Sequence, residues 1–294
     1  MPRISIVMPN YNSGELLERA IVSILDQHYP NLQLIMSDSA STDASRHIID
    51  KYRDYFSVVL REKDKGQADG INRGFRHADG DIYYWLCADD ELMPGALRCV
   101  ADIFAGNPEI DVVIGGCERV FADGKRYITR ADPDAWKKIG MINVIEQPST
   151  FWRSSLHHKL GELATHFHLS FDWDLWCRMR DSGARMKTTE VVLSRYYFSE
   201  TNKSGNAGRM FAREAFQIIR RYGPLNGMLA HIYRMLYHCF DLKGCYDRPP
   251  TCTRMRSYLF VLVLGALRMC FGERLIYTYN WHFACLQERN LPWW

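Results

Sequence analysis

The sequence lacks the motifs that mark several large classes of protein. It has nine cysteines but no pair at the CxxC spacing, which argues against a zinc ribbon and a dithiol redox site. No GxGxxG follows the first predicted strand and no GxxxxGK[ST] occurs, so neither a dinucleotide-binding oxidoreductase nor a P-loop is indicated. Scattered, unpaired thiols are typical of proteins from a reducing compartment.

Strong net charge and long apolar runs are also missing. A net charge of +3 over 294 residues is too small to make nucleic acid the expected partner. No apolar run reaches the roughly 18–20 residues that cross a bilayer. The nearest run, residues 258–271, is interrupted by Arg268. The chain starts almost directly with an apolar segment, so we expect no signal peptide and a cytoplasmic location.

The first part of the chain alternates between short apolar runs and amphipathic stretches. Strands are predicted at residues 4–8, 32–36, 57–60, 82–86 and 111–115, and helices begin near residues 14, 43, 66 and 94. Such alternation is typical of βαβ units with right-handed crossovers. We therefore predict an α/β fold with a Rossmann-like, mostly parallel sheet flanked by helices.

The pattern changes after residue 116. A hairpin is predicted around Gly124, a strand at residues 187–193, and helices at residues 171–181 and 209–221, with a polar loop at 199–208. We predict one domain over residues 1–222, with halves at about 1–116 and 117–222. A helical extension follows over residues 223–294.

The predicted extension is basic and rich in aromatic residues. It holds eight Lys or Arg against four Asp or Glu, an excess larger than the net charge of the whole chain. Aromatic residues and arginines interleaved at helical spacing suit a helix that lies in the headgroup region of a membrane. The alternative is a helical bundle on the first domain or a subunit interface, so an oligomer stays open.

Acidic side chains follow three successive predicted strands. Asp38 follows the second strand, Asp64 the third, and Asp89 and Asp90 the fourth. The carboxyl ends of parallel strands share one edge of a sheet, where open α/β sheets bind ligands. Adjacent carboxylates raise each other's pKa unless a cation lies near them, and a hard divalent ion carrying a diphosphate suits this position. The alternative is an acidic turn that caps the next helix.

Six short motifs, in order, resemble those of the family 2 inverting glycosyltransferases. They are MPNYN at residues 8–12, DSASTD at 38–43, DKGQADGINRG at 64–74, LCADD at 86–90, QPSTFW at 147–152 and FDWDLWCR at 171–178. The chain is similar to this family over roughly residues 3–210. The resemblance implies a GT-A fold, with the nucleotide-sugar half at about 1–116 and the acceptor half at about 117–222.

The resemblance also implies which residues bind the donor. The base and ribose pocket would be formed by Pro9, Tyr11 and Asp38, with Asp38 accepting a hydrogen bond from the base. The nucleotide and the sugar would be bordered by Lys65, Gly66 and Asp69. Asp89 would contact the ribose or the sugar, and Asp90 would hold a Mn²⁺ or Mg²⁺ ion.

Asp172 matches the catalytic base of the family's ED motif. Its apolar neighbours would raise its pKa towards a useful value for a general base. Two positions depart from the family pattern: Cys87 stands where an acid is commonest, and Phe171 stands where the ED motif has Glu. The second departure leaves Asp174 as a rival base, or as an acid favoured by the helix dipole.

The expected function is therefore that of a metal-dependent inverting glycosyltransferase. It would move a sugar from a nucleotide-diphosphate donor, with a UDP-sugar favoured, to a lipid-linked glycan such as a polyprenyl-diphosphate-linked one. This sugar transfer would take place at the inner face of the membrane, in surface polysaccharide or glycan assembly.

Two alternatives from other classes stay open. A sugar-nucleotide nucleotidyltransferase would need a Gly- and Arg-rich loop after the first strand, where residues 9–12 are PNYN. A non-catalytic glycosyltransferase-like binding protein is the second alternative, and the intact Asp89, Asp90 and Asp172 argue against it.

Overall fold

The computed structural model describes residues 1–121, 123–198, 208–223, 227–228, 230–231, 234–235 and 254–271. The chain forms two compact units, residues 1–133 with 145–199, and residues 134–144 with 200–294. Most of the predicted polar loop at 199–208 and much of the predicted extension lie outside the described residues. The predicted domain boundary at residue 222 stays a prediction.

Four parallel strands form the first half of the sheet. They are β1 (Ile4–Asn10), β2 (Leu32–Asp38), β3 (Val58–Arg61) and β4 (Ile82–Trp85). Their order is β3-β2-β1-β4, and every pairing among them is parallel. β1 and β4 are buried along their whole length, which explains their continuous apolar sequences. The predicted parallel arrangement is confirmed for this half.

Helices follow these strands. They are α1 (Glu15–Leu25), α2 (Ser45–Lys51), α3 (Gln67–Phe75) and α4 (Ala96–Gly106). The buried residues of α1 recur at helical spacing, so one face of it meets the core. α3 lies very close to β1, because a Cβ on Gly74 would stand only 2.4 Å from Val7 Cγ1. A glycine is therefore needed there for close approach.

The second half of the sheet is mixed. It contains β5 (Asp90–Leu92), β6 (Val112–Phe121), β7 (Arg126–Thr129), β8 (Thr150–Arg153) and β9 (Met186–Phe198). The order continues from β4 as β8-β6-β9-β5, and β7 pairs with β6. β8 is antiparallel to both β4 and β6, whereas β6 and β9 are parallel. The predicted hairpin around Gly124 is confirmed by the antiparallel pairing of β6 with β7.

Two helices, α6 (Ser154–Leu160) and α7 (Phe171–Asp181), complete the first unit. α7 is anchored by aromatic packing: the Trp176 ring stacks on Trp85 at 5.9 Å between centroids, and Trp152 contacts Trp85 edge-on at 5.3 Å. Trp85 ends β4, so the core fixes α7 against the same strand that leads to the acidic pair.

The second unit contains α5 (Ala135–Lys138), α8 (Gly208–Tyr222) and α9 (Arg254–Phe271). The predicted helix at 209–221 is confirmed by α8. Met255, Leu262 and Met269 on α9 are exposed and seven residues apart, so they share one face. Among the helices described, none is both long enough and apolar enough to cross a membrane.

Candidate active site

Asp38 joins the loops that follow β1 and β2. It lies opposite Asn10 in the parallel register and is 2% exposed. Asn10 Nδ2 donates to Asp38 Oδ1 at 2.6 Å, and Ser41 donates through its backbone N–H to Oδ2 at 3.0 Å and through Oγ to Oδ1 at 2.5 Å. The sequence analysis did not single out the roles of Asn10 and Ser41, although an Asp-x-x-Ser spacing is typical of local side-chain to backbone bonding. The hydrogen bond that Asp38 is predicted to accept from a base stays a prediction.

The same two loops hold residues in the left-handed backbone region. Asn12 has φ 49° and Ala40 has φ 54°, and neither is a glycine. The backbone N–H of Asn12 donates to Ser41 Oγ at 2.9 Å, which helps to hold this geometry. Strained backbone of this kind tends to occur at ligand sites. Pro9, near the end of β1, is buried, whereas Tyr11, just after β1, is 67% exposed, so the Tyr11 ring is available to a ligand.

The loop before α3 is shaped by two aspartates. Gly66 caps α3 with φ 123° and donates its N–H to Asp64 Oδ1 at 2.9 Å. The backbone N–H of Lys65 donates to Asp69 Oδ2 at 2.9 Å, and Asp69 also pairs with Arg73 at 3.1 Å. The Lys65 side chain is exposed. The N-terminal turn of α3 therefore lies at the sheet edge, where its partial positive charge favours anions.

Cys87, Asp89 and Asp90 come together just after β4. Their ligand atoms all lie within 4.8 Å of one another, and within the part of the chain that the structure describes no other group of this kind occurs. Asp90 opens β5 and is 3% exposed, while α4 is capped by Gly95. The interpretation of the pair as a helix-capping acidic turn is therefore wrong.

The electrostatics of this cluster favour a cation. Burial raises the pKa of the Asp90 carboxyl well above its usual range, and the Asp89 and Glu146 carboxylates raise it further. Burial also raises the pKa of Asp89. Asp90 Oδ1 is buried and accepts no hydrogen bond from the protein. Carboxylates in this state fit a divalent cation, which would satisfy the oxygen and stabilise both charges.

Two glutamines surround the Cys87 sulfur. Gln67 Nε2 donates to Cys87 Sγ at 3.2 Å, and Cys87 Sγ donates to Gln147 Oε1 at 3.8 Å. Gln147 Nε2 is held by the Trp85 carbonyl at 2.9 Å. These contacts join α3, the end of β4 and the turn before β8 at one point. Both glutamines lie in motifs noted in the sequence, but only the structure reveals their contact with Cys87.

Glu91 connects the acidic pair to α1 and to β9. Its carboxylate pairs with Arg19 at 2.5 Å and with Arg195 at 3.1 Å, and it accepts a hydrogen bond from Tyr197 Oη at 2.8 Å. Arg19 also lies 3.8 Å from the centre of the Tyr197 ring and donates to the Asp89 carbonyl at 3.3 Å. No local sequence signal identified this network, because its members come from α1, β5 and β9.

Asp172 and Asp174 have different surroundings in the first turn of α7. Asp174 is 1% exposed, and its Oδ2 accepts a hydrogen bond from Arg178 Nε at 2.8 Å. Asp172 is partly exposed. The ring of Phe171 lies 6.2 Å from that of Trp85 between centroids, which places the start of α7 beside the end of β4. Asp174 therefore has a structural partner, and Asp172 as the base stays a prediction.

The family of the chain follows from its sequence profile. Residues 5–184 match the family described as Glycosyl transferase family 2. The chain belongs to this family. All of the predicted site residues, from Pro9 to Asp172, lie inside the matched segment.

Individual relatives match shorter segments. The Campylobacter jejuni GalNAc(5)-diNAcBac-PP-undecaprenol beta-1,3-glucosyltransferase is 35% identical over 121 residues, 40% of this chain and 38% of that protein. An uncharacterized glycosyltransferase of Haemophilus influenzae is 39% identical over 93 residues, 31% of this chain and 37% of that protein. The matched part of the chain spans little more than a third of the length of the first curated relatives.

Solved structures confirm the predicted GT-A fold. S. aureus TarS 1–349 in complex with UDP-GlcNAc gives a TM-score of 0.59 at 15% identity, covering 94% of this chain and 83% of that one. The Pyrobaculum calidifontis mannosyltransferase PcManGT, in complex with GDP-Man and Mn²⁺, gives a TM-score of 0.59 at 18% identity, covering 98% and 86%. At these identities the likeness concerns the fold.

Proposed function

We propose that this family 2 chain is a metal-dependent inverting glycosyltransferase that moves a sugar from a nucleotide-diphosphate donor to a lipid-linked glycan. The observation that carries the proposal is the cluster of Cys87, Asp89 and Asp90 after β4, next to the N-terminal turn of α3. Carboxylates for a metal and a positive helix end for phosphate lie side by side at the edge where such sheets bind ligands.

The donor would be held from both sides of this edge. Asp90, with Asp89 close by, would hold Mn²⁺ or Mg²⁺, and the bound ion would stabilise the charge that develops on the departing nucleoside diphosphate. The exposed Lys65 side chain beside the α3 N-terminus would add positive charge near the phosphates. Tyr11 would contact the base or ribose across the loops after β1 and β2.

Asp172 would act as the general base. Its carboxylate would accept the proton of the acceptor hydroxyl while that oxygen bonds to the anomeric carbon, on the face opposite the diphosphate. The bond from this carbon to the diphosphate breaks at the same time, and its electron pair leaves with the nucleoside diphosphate. A single displacement of this kind inverts the anomeric configuration. Asp174 is 1% exposed and pairs with Arg178, whereas Asp172 is partly exposed, and this difference supports Asp172 over its rival.

The identities of donor and acceptor are proposed from relatives. A UDP-sugar is favoured, in line with the UDP-GlcNAc bound to TarS, although PcManGT holds GDP-Man. A lipid-linked acceptor is supported by the name of the C. jejuni relative, which specifies an undecaprenol diphosphate carrier. We therefore propose that the chain acts in glycan assembly at the cytoplasmic face of a membrane.

α9 supports contact with that membrane. Its exposed stripe of Met255, Leu262 and Met269 belongs to a basic segment of the chain, and such a helix suits an anionic lipid surface. We expect the protein to sediment with phosphatidylglycerol vesicles and a variant with serine at all three positions to stay in solution. If the wild type does not bind vesicles but forms a dimer, and the variant is a monomer, the stripe is a subunit interface instead.

The first test of the function is thermal stabilisation by UDP, GDP and dTDP, each with and without Mn²⁺. We expect a rise in Tm for one nucleotide that requires the metal, because a ligand at 100 times its Kd stabilises the folded state by about 2.7 kcal/mol. Asp90→Asn should lose the rise, whereas Asp26→Asn, an exposed acid at the end of α1, should keep it. No rise with any nucleotide would overturn the proposal in favour of a non-catalytic protein.

A further inference from the structure

We propose that the Cys87 thiolate is a direct ligand of the metal, which gives the site a preference for thiophilic divalent cations such as Zn²⁺, Cd²⁺ and Co²⁺ over Mg²⁺. The inference rests on the proposed metal-dependent function and adds a sulfur to its ligand set. It assigns Cys87 a chemical role that distinguishes it from the other described cysteines.

The spacing of the three side chains carries the first step. The Cys87 sulfur and a carboxylate oxygen from each of Asp89 and Asp90 lie within 4.8 Å of one another. Metal–sulfur bonds of about 2.3 Å and metal–oxygen bonds of about 2.0–2.2 Å place two ligands of one ion up to about 4.5 Å apart. Small rotations of side chains would therefore bring all three atoms onto one ion.

Asp90 supplies a second and independent observation. Asp90 is only 3% exposed, and its Oδ1 has no hydrogen-bond donor within the protein. A buried carboxylate oxygen without a partner is costly. A cation between Asp90 and the Cys87 sulfur would supply the missing partner.

The sulfur is held in place by two glutamines. Gln67 Nε2 donates to Cys87 Sγ at 3.2 Å, and Gln147, whose Nε2 donates to the Trp85 carbonyl, accepts from the sulfur through Oε1 at 3.8 Å. A metal bond to the sulfur would replace the contact with Gln147 Oε1, because a cysteine loses its proton when it binds a metal. Cys117 and Cys177 differ from Cys87, since both are fully buried in the core. Cys87 is half-buried and so can be reached by an ion.

Ligand softness predicts the selectivity. Thiolate ligands favour Zn²⁺, Cd²⁺ and Co²⁺, whereas sites made only of oxygen favour Mg²⁺ and Mn²⁺. We expect the wild type to bind Cd²⁺ at least about tenfold more tightly than Mg²⁺, and Cys87→Asp to shift the ratio towards Mg²⁺ by about tenfold or more. Competition of each ion against Mn²⁺, followed by the Mn²⁺ electron paramagnetic resonance signal, measures the ratio.

The deciding experiment is a Co²⁺ titration of the metal-free full chain. Thiolate–Co²⁺ bonding gives a charge-transfer band in the near ultraviolet. We expect this band at one equivalent in the wild type and in Cys99→Ser, a matched half-buried thiol on α4, and its loss in Cys87→Ser. An equal band in Cys87→Ser, or no band in the wild type, overturns the proposal.

The outcomes separate this inference from the proposed function. If wild type and Cys87→Ser bind Mn²⁺ with UDP equally well and neither gives the Co²⁺ band, the sulfur ligand is wrong and metal-dependent donor binding stands. If neither binds any divalent ion, with or without a nucleotide, both proposals fail.

A spectroscopic measurement on the wild type covers the case in which Cys87→Ser does not fold. X-ray absorption of the protein with one equivalent of Zn²⁺ should show a Zn–S distance of about 2.3 Å, and Asp90→Asn should lose it. Zinc bound only to oxygen or nitrogen at about 2.0–2.2 Å contradicts the inference.

Discussion

The two halves of the sheet contribute to the candidate site in different ways. In the parallel half, the neighbouring strands β1, β2 and β4 end at one edge, and their last residues and the loops that follow supply Asp38, Asp89 and their neighbours. In the mixed half, the contributions depend on partners far apart along the chain, such as Glu91 and Arg195, which are separated by 104 positions. Local loops therefore supply the residues that we propose to bind the donor, and long-range pairing holds those loops in place.

The two halves should respond differently to mutation. Changes at the parallel edge should alter binding of the nucleotide and the metal. Changes on α7, which packs from the other half, should alter turnover or stability and leave the nucleotide in place. Two substitutions on α7 test this division, and substitutions of His157 and Gly74 test the packing around the two halves; the largest expected effect comes first.

Asp172→Asn should separate turnover from binding. Loss of a general base reduces kcat by roughly 10²–10⁴-fold. The nucleotide-dependent rise in Tm should stay the same, because Asp172 belongs to α7 and not to the loops after β1 and β2. Release of nucleoside diphosphate in the presence of acceptor measures turnover. Full turnover by this variant would remove the base assignment, and loss of nucleotide binding would contradict the division between the halves.

Asp174→Asn should act on stability instead of chemistry. Arg178, which donates to Asp174 and to the Leu160 carbonyl at 3.1 Å, would lose its buried partner charge. Breaking such a pair costs about 3 kcal/mol or more of the free energy of unfolding. Urea denaturation measures this loss, and turnover per folded molecule should persist at low temperature. A variant of unchanged stability that has lost its turnover would make Asp174 the base.

His157, which lies where the two halves of the sheet meet, should make the free energy of unfolding depend on pH. It is buried against Phe75, Tyr83 and Trp152. Its pKa is lowered to about 4, mainly by this burial and also by the nearby His158 and Arg178, against the opposing effect of Glu162. The unfolded state then binds more protons between about pH 4 and 6.5, so stability falls as the pH drops through this window, by up to about 3 kcal/mol.

Replacement of this histidine tests the assignment. His157→Phe should flatten the pH dependence of the free energy of unfolding between pH 4 and 6.5, whereas His158→Gln, on the exposed neighbour, should largely keep it. Urea denaturation at several pH values provides the comparison. Equal slopes in the wild type and His157→Phe would show that other groups cause the dependence.

Gly74→Ala should weaken the packing of α3 on the parallel half of the sheet and lower the free energy of unfolding. The added Cβ would meet Val7 Cγ1 at 2.4 Å, and overpacking of this kind costs about 1–3 kcal/mol. Gly106→Ala is the matched control, since nothing lies within 4 Å of its added Cβ. A larger loss of stability in the control, or none in Gly74→Ala, would show that α3 can shift without cost.

The sequence predicted the parallel half well because its two central strands, β1 and β4, are buried on both faces. The continuous apolar runs of β1 and β4 result from this burial, and α7 begins and ends where its pattern predicts, at Phe171–Asp181. β5 was not predicted. Its three residues form a strand only because they pair with β9, about a hundred positions later. The direction of β8 between β4 and β6 also has no local signal.

The sequence by itself determined the family and the chemical types at the site, because its motifs are local and keep their order. Only the tertiary structure decided the state of each acid: Asp38 bound by Asn10 and Ser41, Asp90 buried without a donor at Oδ1, and Asp174 paired with Arg178. The physical reason is that burial and hydrogen bonding depend on which distant segments meet. An acidic motif in the sequence shows which residues carry carboxylates, and packing in the folded protein decides their charge and their partners.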